Sequence, residues 1–478
     1  MSGTLSRPSV AGAFVAATLL SACASFTPDG GVGPSLEASR NEFARDPSAI
    51  HSSEGATQAR LRVARLLKRP LTAADAVEIA LRSHRGLQAA FIRLGVEEAL
   101  KVRETLPPNP TISVSRVAGN LSSEIEAAVA ADVLALVTLP ARAEIAADRF
   151  EAAQLEAVET TLRVGLEARR AYFRAVGMQE KVRALQYAAK AAEAAAGFAR
   201  TLGETGAMNK LDQARAQVFY AEVTAQLAGA RQQTLAERER LVRALGLWGA
   251  DADLRLPDAL PPPPQHPREQ PMVERDAVAD RIDLRIGRKR LDVLAKSLGL
   301  TQSTRFVDLF QVAGIGRITR ENVNGERVRF DNSGVGAAIE IPIFDLGETR
   351  VREAEQRWLE ALNLLAEKAI DARSEAREAY RNYRSAHEIA RHHVREILPL
   401  YATISDESLR RYNAMLIDVF ALIDSSRRRL VAIAAAIDAK RDFWLAEVDL
   451  RAAVVGGAHF IGAPPSVTAA SDTGSDLQ

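Results

Sequence analysis

Between Gly334 and Ile343 the chain alternates: Val335, Ala337, Ile339, Ile341 and Ile343 interleave with Gly334, Gly336, Ala338, Glu340 and Pro342. A two-residue period with one apolar face predicts a strand whose other face is small or polar. After Phe344-Asp345-Leu346-Gly347 the period lengthens. Val351, Ala354, Trp358, Ala361, Leu365, Ala369, Ala372, Ala376, Ala379, Tyr383, Ala386 and Ala390 follow at steps of three or four, one continuous stripe of a helix. At ~1.5 Å per residue such a helix is roughly 70 Å long. It cannot fold back on its own stripe, so it has to lie along other long helices.

Long helical and short strand patterns organise the rest of the chain as well. Leu71-Thr72 opens a helical pattern running through Leu106, with Thr72 as N-cap and Asp75 three residues on in the manner of a capping box. Pro107-Pro108-Asn109-Pro110 stops it. Strands are expected at about 111–117 and 127–139, and Pro140 suits the first turn of a following helix. That helix extends from about Ala141 to Leu202 and breaks at Gly203-Glu204-Thr205-Gly206. Another follows from about Asn209 to Leu247, making an antiparallel hairpin. Residues 248–271, with Pro261-Pro262-Pro263-Pro264, read as a stiff extended linker.

The pattern then starts again. Asp75-Ala76-Val77 recurs as Asp276-Ala277-Val278, Leu139-Pro140 as Ile341-Pro342, Ala171-Tyr172 as Ala379-Tyr380 and Ala207-Met208 as Ala414-Met415, at offsets of 201, 202, 208 and 207. Four matches in register at the same junctions predict a duplicated unit covering 71–247 and 272–455. In the second copy, strands are expected at about 305–320 and 329–343 around an Asn322–Gly325 turn. Pro399 removes a backbone donor from the second hairpin's first helix and should kink it.

Composition narrows what such a chain can be. With 62 basic and 61 acidic residues among 478, it lacks the basic excess of a nucleic-acid binder. Residues 1–22 read as an export signal: Arg7, an apolar run from Val10 to Leu20, then small residues leading to Cys23, the sole cysteine. Leu20-Ser21-Ala22-Cys23 is similar to the lipobox of bacterial lipoproteins, in which cleavage leaves the cysteine N-terminal and diacylated. The alternative is a plain signal peptide ahead of an incidental cysteine. On the lipoprotein reading, 23–70 is a lipidated tether, and Ala24 rather than Asp after the cysteine implies sorting to the outer membrane. Residues 456–478 are expected to be a disordered tail.

No later stretch has the ~18 consecutive apolar residues of a membrane helix, so any membrane would be crossed by strands. P-loop, G-x-S-x-G, paired-cysteine and H-E-x-x-H motifs are missing from the sequence. The chain is therefore not expected to be an enzyme, nor to hold a cofactor or metal. His392 and His393 are neighbours on a helix and diverge by about 100°, which fits a solvated face rather than a ligand pair.

Four strands cannot stand alone in lipid. An open sheet leaves edge N–H and C=O groups unpaired at several kcal/mol each, and single-chain barrels start at about eight strands. An oligomer is required, and three copies would supply twelve strands. At this point particular motifs matter: L-T-A-A-D-A-V-E-I-A-L from Leu71, L-P-P-N-P-T-I-S-V from Leu106, I-P-I-F-D-L-G from Ile341, and the hairpin ends G-A-M-N-K-L-D-Q-A-R-A-Q and Y-N-A-M-L-I-D-V-F-A-L-I-D. Over about 71–455 they resemble the TolC-type outer-membrane efflux factors.

The resemblance implies a mainly α fold with a membrane β-barrel portion, in which duplicated helix–strand–strand–long-hairpin units form, as a homotrimer, a twelve-stranded barrel and an α-helical periplasmic tunnel. It also implies a passive exit duct of a tripartite efflux system, carrying small molecules or metal ions. The partners would be a periplasmic adaptor, an inner-membrane transporter of the RND type and outer-membrane lipid. P-P-N-P before the first strand is similar to members associated with heavy-metal efflux. A type I secretion duct is the alternative within the family, and a periplasmic adaptor or structural lipoprotein the alternative outside it.

The acidic residues that the family places at its periplasmic constriction fall here at Asp212, Asp418 and Asp424, each a ring of three in a trimer. Carboxylates near a helix start are also favoured by its dipole alone. Glu340 should face the barrel lumen, since facing lipid would cost ~2 kcal/mol. The first copy departs from the pattern: Ala141-Arg142-Ala143-Glu144 follows Leu139-Pro140, without F-D-x-G.

Overall fold

A computed structural model of the chain describes residues 26–50, 52–120, 122–323 and 326–456. The expected signal peptide, Cys23, Asn324-Gly325 of the expected turn, and the tail after Gly456 lie outside the described residues. In chain order the elements are α1 (Gly33–Phe43), α2 (Ser53–Leu67), α3 (Ala73–Ser83), α4 (Arg85–Thr105), β1 (Thr111–Ala118), β2 (Ser122–Asp132), α5 (Val133–Val137), α6 (Leu139–Glu204) and α7 (Lys210–Leu245). Then come α8 (Val273–Asp280), α9 (Ile282–Ser303), β3 (Leu309–Val323), β4 (Glu326–Glu340), α10 (Glu348–His392), a π-helical turn (His393–Ile397), α11 (Leu398–Asn413) and α12 (Val419–Val455). Helix pair, strand pair and long hairpin thus occur twice in the same order.

The residues group into two compact units, one holding residues up to Pro34 with Ala89–Ala157 and Asp283–Lys368, the other Ser35–Gln88, Val158–Ile282 and the chain from Ala369. The long helices α6 and α10 contribute residues to both. The first unit contains the sheet, four antiparallel strands in the order β1-β2-β3-β4. Its helices register through charge: on α6, Glu144 and Asp148 hold the Lys296 ammonium of α9 at 2.6 and 2.5 Å, and Glu151 holds Lys289 at 2.8 Å. Exposed pairs of this kind contribute under ~1 kcal/mol each, so they align the helices more than they stabilise them.

The strands reach further toward their turns than expected, β2 beginning at Ser122 rather than 127, β3 ending at Val323 rather than 320 and β4 beginning at Glu326 rather than 329, and three of their helix-side ends fall short. The run Val133-Leu134-Ala135-Leu136-Val137, expected to continue the second strand to 139, is helical, because the Asp132 carboxylate accepts the Ala135 amide at 2.9 Å and caps a helix there. An uninterrupted apolar run carries no period to choose between strand and helix. Strand β4 stops at Glu340 rather than 343, since Pro342 has no N–H for the ladder. Its carbonyl instead accepts the Leu346 amide at 2.8 Å, closing a turn. Strand β3 begins at Leu309 rather than 305, because residues 304–307 still bond back toward α9, Thr304 to Leu300 at 3.0 Å and Val307 to Thr304 at 3.2 Å.

The second unit is helical. At the start of α3 the capping box forms, with Thr72 and Asp75 exchanging side-chain-to-amide bonds of 3.1 Å each way. The helical pattern expected to run on to Leu106 is broken at His84, where ψ is 112°, and Arg281 makes the matching break in the second copy at ψ 122°. The first break is packed against a helix end: Gly246, at φ +68°, lies where an added Cβ would be 2.7 Å from the His84 Cα and 2.9 Å from the Ser83 oxygen. On α10 the alanine stripe is the buried face, with Ala372, Ala376, Ala379, Tyr383 and Ala390 all enclosed. Small side chains there let neighbouring helices approach closely. The irregularity expected at Pro399 takes the form of the π-helical turn at His393–Ile397, since a proline leaves the carbonyl four residues back without its donor and its ring needs room.

The linker is a strap stitched to helices from both copies. Glu180 of α6 accepts the Leu260 amide at 2.8 Å, the Trp444 indole donates to the Pro261 carbonyl at 2.9 Å, His387 bonds the Pro264 carbonyl at 2.8 Å, and the Tyr383 hydroxyl accepts the Arg268 amide at 2.9 Å. Beneath it Phe443 packs against Tyr383, His387 and Trp444 with ring centroids 5.6, 5.5 and 5.1 Å away.

Candidate functional site

Directly paired residues of an antiparallel sheet share a face, so the registers sort every strand residue. One face carries Ile112 and Val114 of β1, Ile125 and Val129 of β2, Phe310, Val312 and Ile318 of β3, and Val335 and Ile339 of β4, and turns charged toward the hairpin turns with Arg116, Arg320, Arg329 and Asp331. The other carries Ser113 and Ser115, Glu124, Glu126 and Asp132, Gln311 and Arg317, Asn332 and Glu340, with Ile315 and Phe330 among them. Arg317 bridges Glu124 at 2.9 Å and Glu126 at 2.6 Å. Glu340 thus lies on the polar face, opposite Leu309. Sequence periodicity foreshadowed that face but not the Arg317 bridge, which requires the β2–β3 pairing between the two copies. Both outer strands, β1 and β4, are paired on one side only among the described residues.

The hairpin ends lie in the second unit. Between α6 and α7, Gly206 takes φ +75° and Asn209 caps α7, accepting the Asp212 amide at 2.9 Å. Between α11 and α12, Met415 takes the same left-handed conformation at φ +58° and Asp418 caps α12, accepting the Ala421 amide at 2.8 Å. Gly206 therefore corresponds to Met415 and Asn209 to Asp418, an offset of 209 by residue number rather than the 207 of the Ala-Met match. Turn geometry, not dipeptide identity, fixes the correspondence.

Each of the three candidate acids has a local partner. Asp212 receives the Asn209 amide group at 2.6 Å and sits 3.3 Å from Arg215, Asp418 is the helix cap, and Asp424 pairs with Arg428 at 2.8 Å. Asp424 also lines two hollows, one of about 390 Å³ with His393, Tyr401 and Arg428, and one of about 470 Å³ with Phe219, Phe420 and Ile423. His392 pairs with Glu396 at 2.8 Å, while burial and then the neighbouring His392 push the His393 imidazole below its ordinary pKa. Among the described residues no group of three or more His, Cys, Asp or Glu is arranged to hold a metal ion, and no helix is long and apolar enough to cross a membrane.

A sheet with one apolar and one polar face, joined to paired helices of up to 66 residues, defines a class of long-hairpin proteins with a small one-sided sheet. No family model and no curated protein matches the sequence. Solved structures do. The chain is similar to CusC, whose crystal structures concern folding and transmembrane channel formation, with a TM-score of 0.67 at 16% identity, over 80% of this chain and 92% of that one. It is similar to the outer membrane protein VceC of Vibrio cholerae (TM-score 0.65, 15% identity, 86% and 99% covered) and to the outer membrane channel CmeC of Campylobacter jejuni (0.63, 15%, 90% and 93%). The chain has the fold of these outer-membrane channels, the one its motifs lead one to expect.

Proposed function

We propose that the chain is one subunit of a trimeric outer-membrane duct, a passive exit for small molecules or metal ions that an inner-membrane transporter, of the RND type, drives through a periplasmic adaptor. The observation that carries this reading is the sheet: one face apolar, the other polar and acidic, with both outer strands open. In lipid every strand edge must be paired. Three such sheets joined edge to edge would pair all of them, turning the apolar faces to lipid and the polar faces to a water-filled lumen. Glu340, Glu124, Glu126 and Asp132 would then line that lumen against the single Arg317, an excess of negative charge that favours cations.

On the same reading, 71–247 and 272–455 are the two repeats, and a lipid on Cys23 adds an anchor. Asp212, Asp418 and Asp424 at the hairpin ends form the periplasmic gate, which opens when their present local pairs exchange. The test is reconstitution: protein purified in detergent, cross-linked for stoichiometry and added to planar bilayers. A conducting trimer is expected. A monomer that stays in solution without detergent, or a trimer that does not conduct, overturns the proposal and favours an adaptor or a structural lipoprotein.

A further inference from the structure

The apolar face of the sheet is short for a membrane. From Phe310 to Ile318 it runs about 27 Å along the strand at ~3.4 Å per residue, and a tilt of ~35–45° reduces this to roughly 20 Å, against a band of ~25 Å in outer-membrane barrels. At the hairpin end the same face turns charged, with Arg116, Arg320, Arg329 and Asp331, so the band cannot lengthen there. At the helical end it does not stop with the sheet. Ile341, in phase with Ile339, is followed by Ile343, Phe344 and Leu346, all exposed, Phe344 to 98%.

The turn that presents them is braced. Asp345 accepts the amides of Gly347 at 2.9 Å and Thr349 at 3.3 Å. The Arg305 guanidinium donates to the Leu346 carbonyl at 3.2 Å, and Arg350 donates to the Arg305 carbonyl at 3.2 Å while pairing with Asp308. Leu346 is held at φ +53° and Gly347 at φ +72°. A Cβ at Gly347 would lie 2.2 Å from the Arg305 oxygen, so the brace closes only around a glycine. Such bracing fixes where Phe344 projects. Arg305 also stacks over the exposed Phe306 ring, 4.7 Å from its centroid. At the other strand-to-helix junction, where F-D-x-G is missing, α5 exposes Leu136 and Val137 instead.

We propose that these two junctions form an interfacial collar that seats in the headgroup and upper acyl region of the leaflet on the helical side, with Phe344 as its most exposed apolar residue and the Arg305 and Arg350 guanidiniums at phosphate level. The inference rests on the sheet crossing a membrane. Lipid is favoured over a second copy of the chain as the occupant because the collar continues the apolar face of the sheet and supplies the missing height. It also places basic groups beside apolar ones, as an anionic headgroup boundary requires.

The test uses the full chain reconstituted into vesicles of phosphatidylcholine carrying bromine either near the headgroup or near the acyl ends. Phe344→Trp is compared with Val335→Trp in the middle of the apolar face, each read against the unsubstituted protein. The indole fluorescence added at position 344 should be quenched most by shallow bromine, and that added at position 335 most by deep bromine. Quenching at 335 with none at 344 overturns the collar and leaves the membrane reading standing, whereas no quenching at either position sinks both. Cross-linking of Phe344→Cys to a neighbouring subunit, with 344 unquenched, assigns the turn to the subunit interface and overturns the collar.

Discussion

Gly246→Ala and Gly206→Ala make a controlled pair. Both glycines are left-handed, at φ +68° and +75°, but nothing lies within 4 Å of a Cβ at Gly206, whereas at Gly246 three backbone atoms of Ser83 and His84 lie 2.7 to 3.0 Å away. Placing an L side chain in the left-handed region costs ~1–2 kcal/mol, and that alone is expected at 206. At 246 the methyl also meets backbone that cannot rotate aside, and overpacking of this kind adds ~1–3 kcal/mol. The expected losses are therefore about 1–2 kcal/mol at 206 and roughly 2–5 kcal/mol at 246. Asparagine sharpens the comparison, because it tolerates the left-handed region yet carries the same Cβ. Gly206→Asn should be close to neutral and Gly246→Asn should stay costly. Guanidinium unfolding in detergent, followed by far-UV circular dichroism, reads all four. Equal losses at the two sites would show that the α3–α4 break is not packed on the end of α7 and would refute the reasoning.

Asp418→Ala removes a helix cap and should cost about 1 kcal/mol, while Asp424→Ala gives up only an exposed pair with Arg428 worth ~0.3–0.5 kcal/mol. If both act at a gate, both change single-channel conductance or cation block despite their unequal stability costs, and unaltered conductance in the pair removes the gate role. Thr72→Ala opens the capping box and should lower stability by about 1 kcal/mol, measurable by the same unfolding assay, with no loss counting against the cap. Burial raises the Glu447 carboxyl above its ordinary pKa, only partly offset by Arg169, Arg268 and Arg451. Between the ordinary and the raised value the folded chain holds a proton that the unfolded chain has lost, so stability falls as pH rises through that window. Glu447→Gln should thus stabilise at neutral pH and give no gain below the ordinary carboxylate range, and a gain confined to acid pH would reverse the sign and the argument.

The long elements were legible because a stripe such as Ala372 to Ala390 repeats its period many times over. Short ones were not: Val133 to Val137 has no period, and only the Asp132 cap decides its state. The breaks at His84 and Arg281 interrupt runs whose apolar spacing continues across them, and the first is packed against the end of α7 at Gly246. For the candidate site, the two faces of the sheet followed from alternation, but their charge pattern needed the β2–β3 register. The correspondence of the hairpin ends slipped by two residues because an Ala-Met pair recurs at 207 while the left-handed residues and caps recur at 209. Composition shows the strap only as a stiff linker, since its fastenings use backbone carbonyls and amides, which every residue owns and no composition advertises.

On the proposed reading, that strap limits how the duct could open. It ties α6 to α10 and α12 through bonds to backbone, and four successive prolines offer no N–H with which to trade one partner for the next. Axial slippage between the first-copy and second-copy helices would have to tear several bonds at once at that level. The girdled stretch would then act as a hoop, leaving any change of bore to the helical ends beyond it.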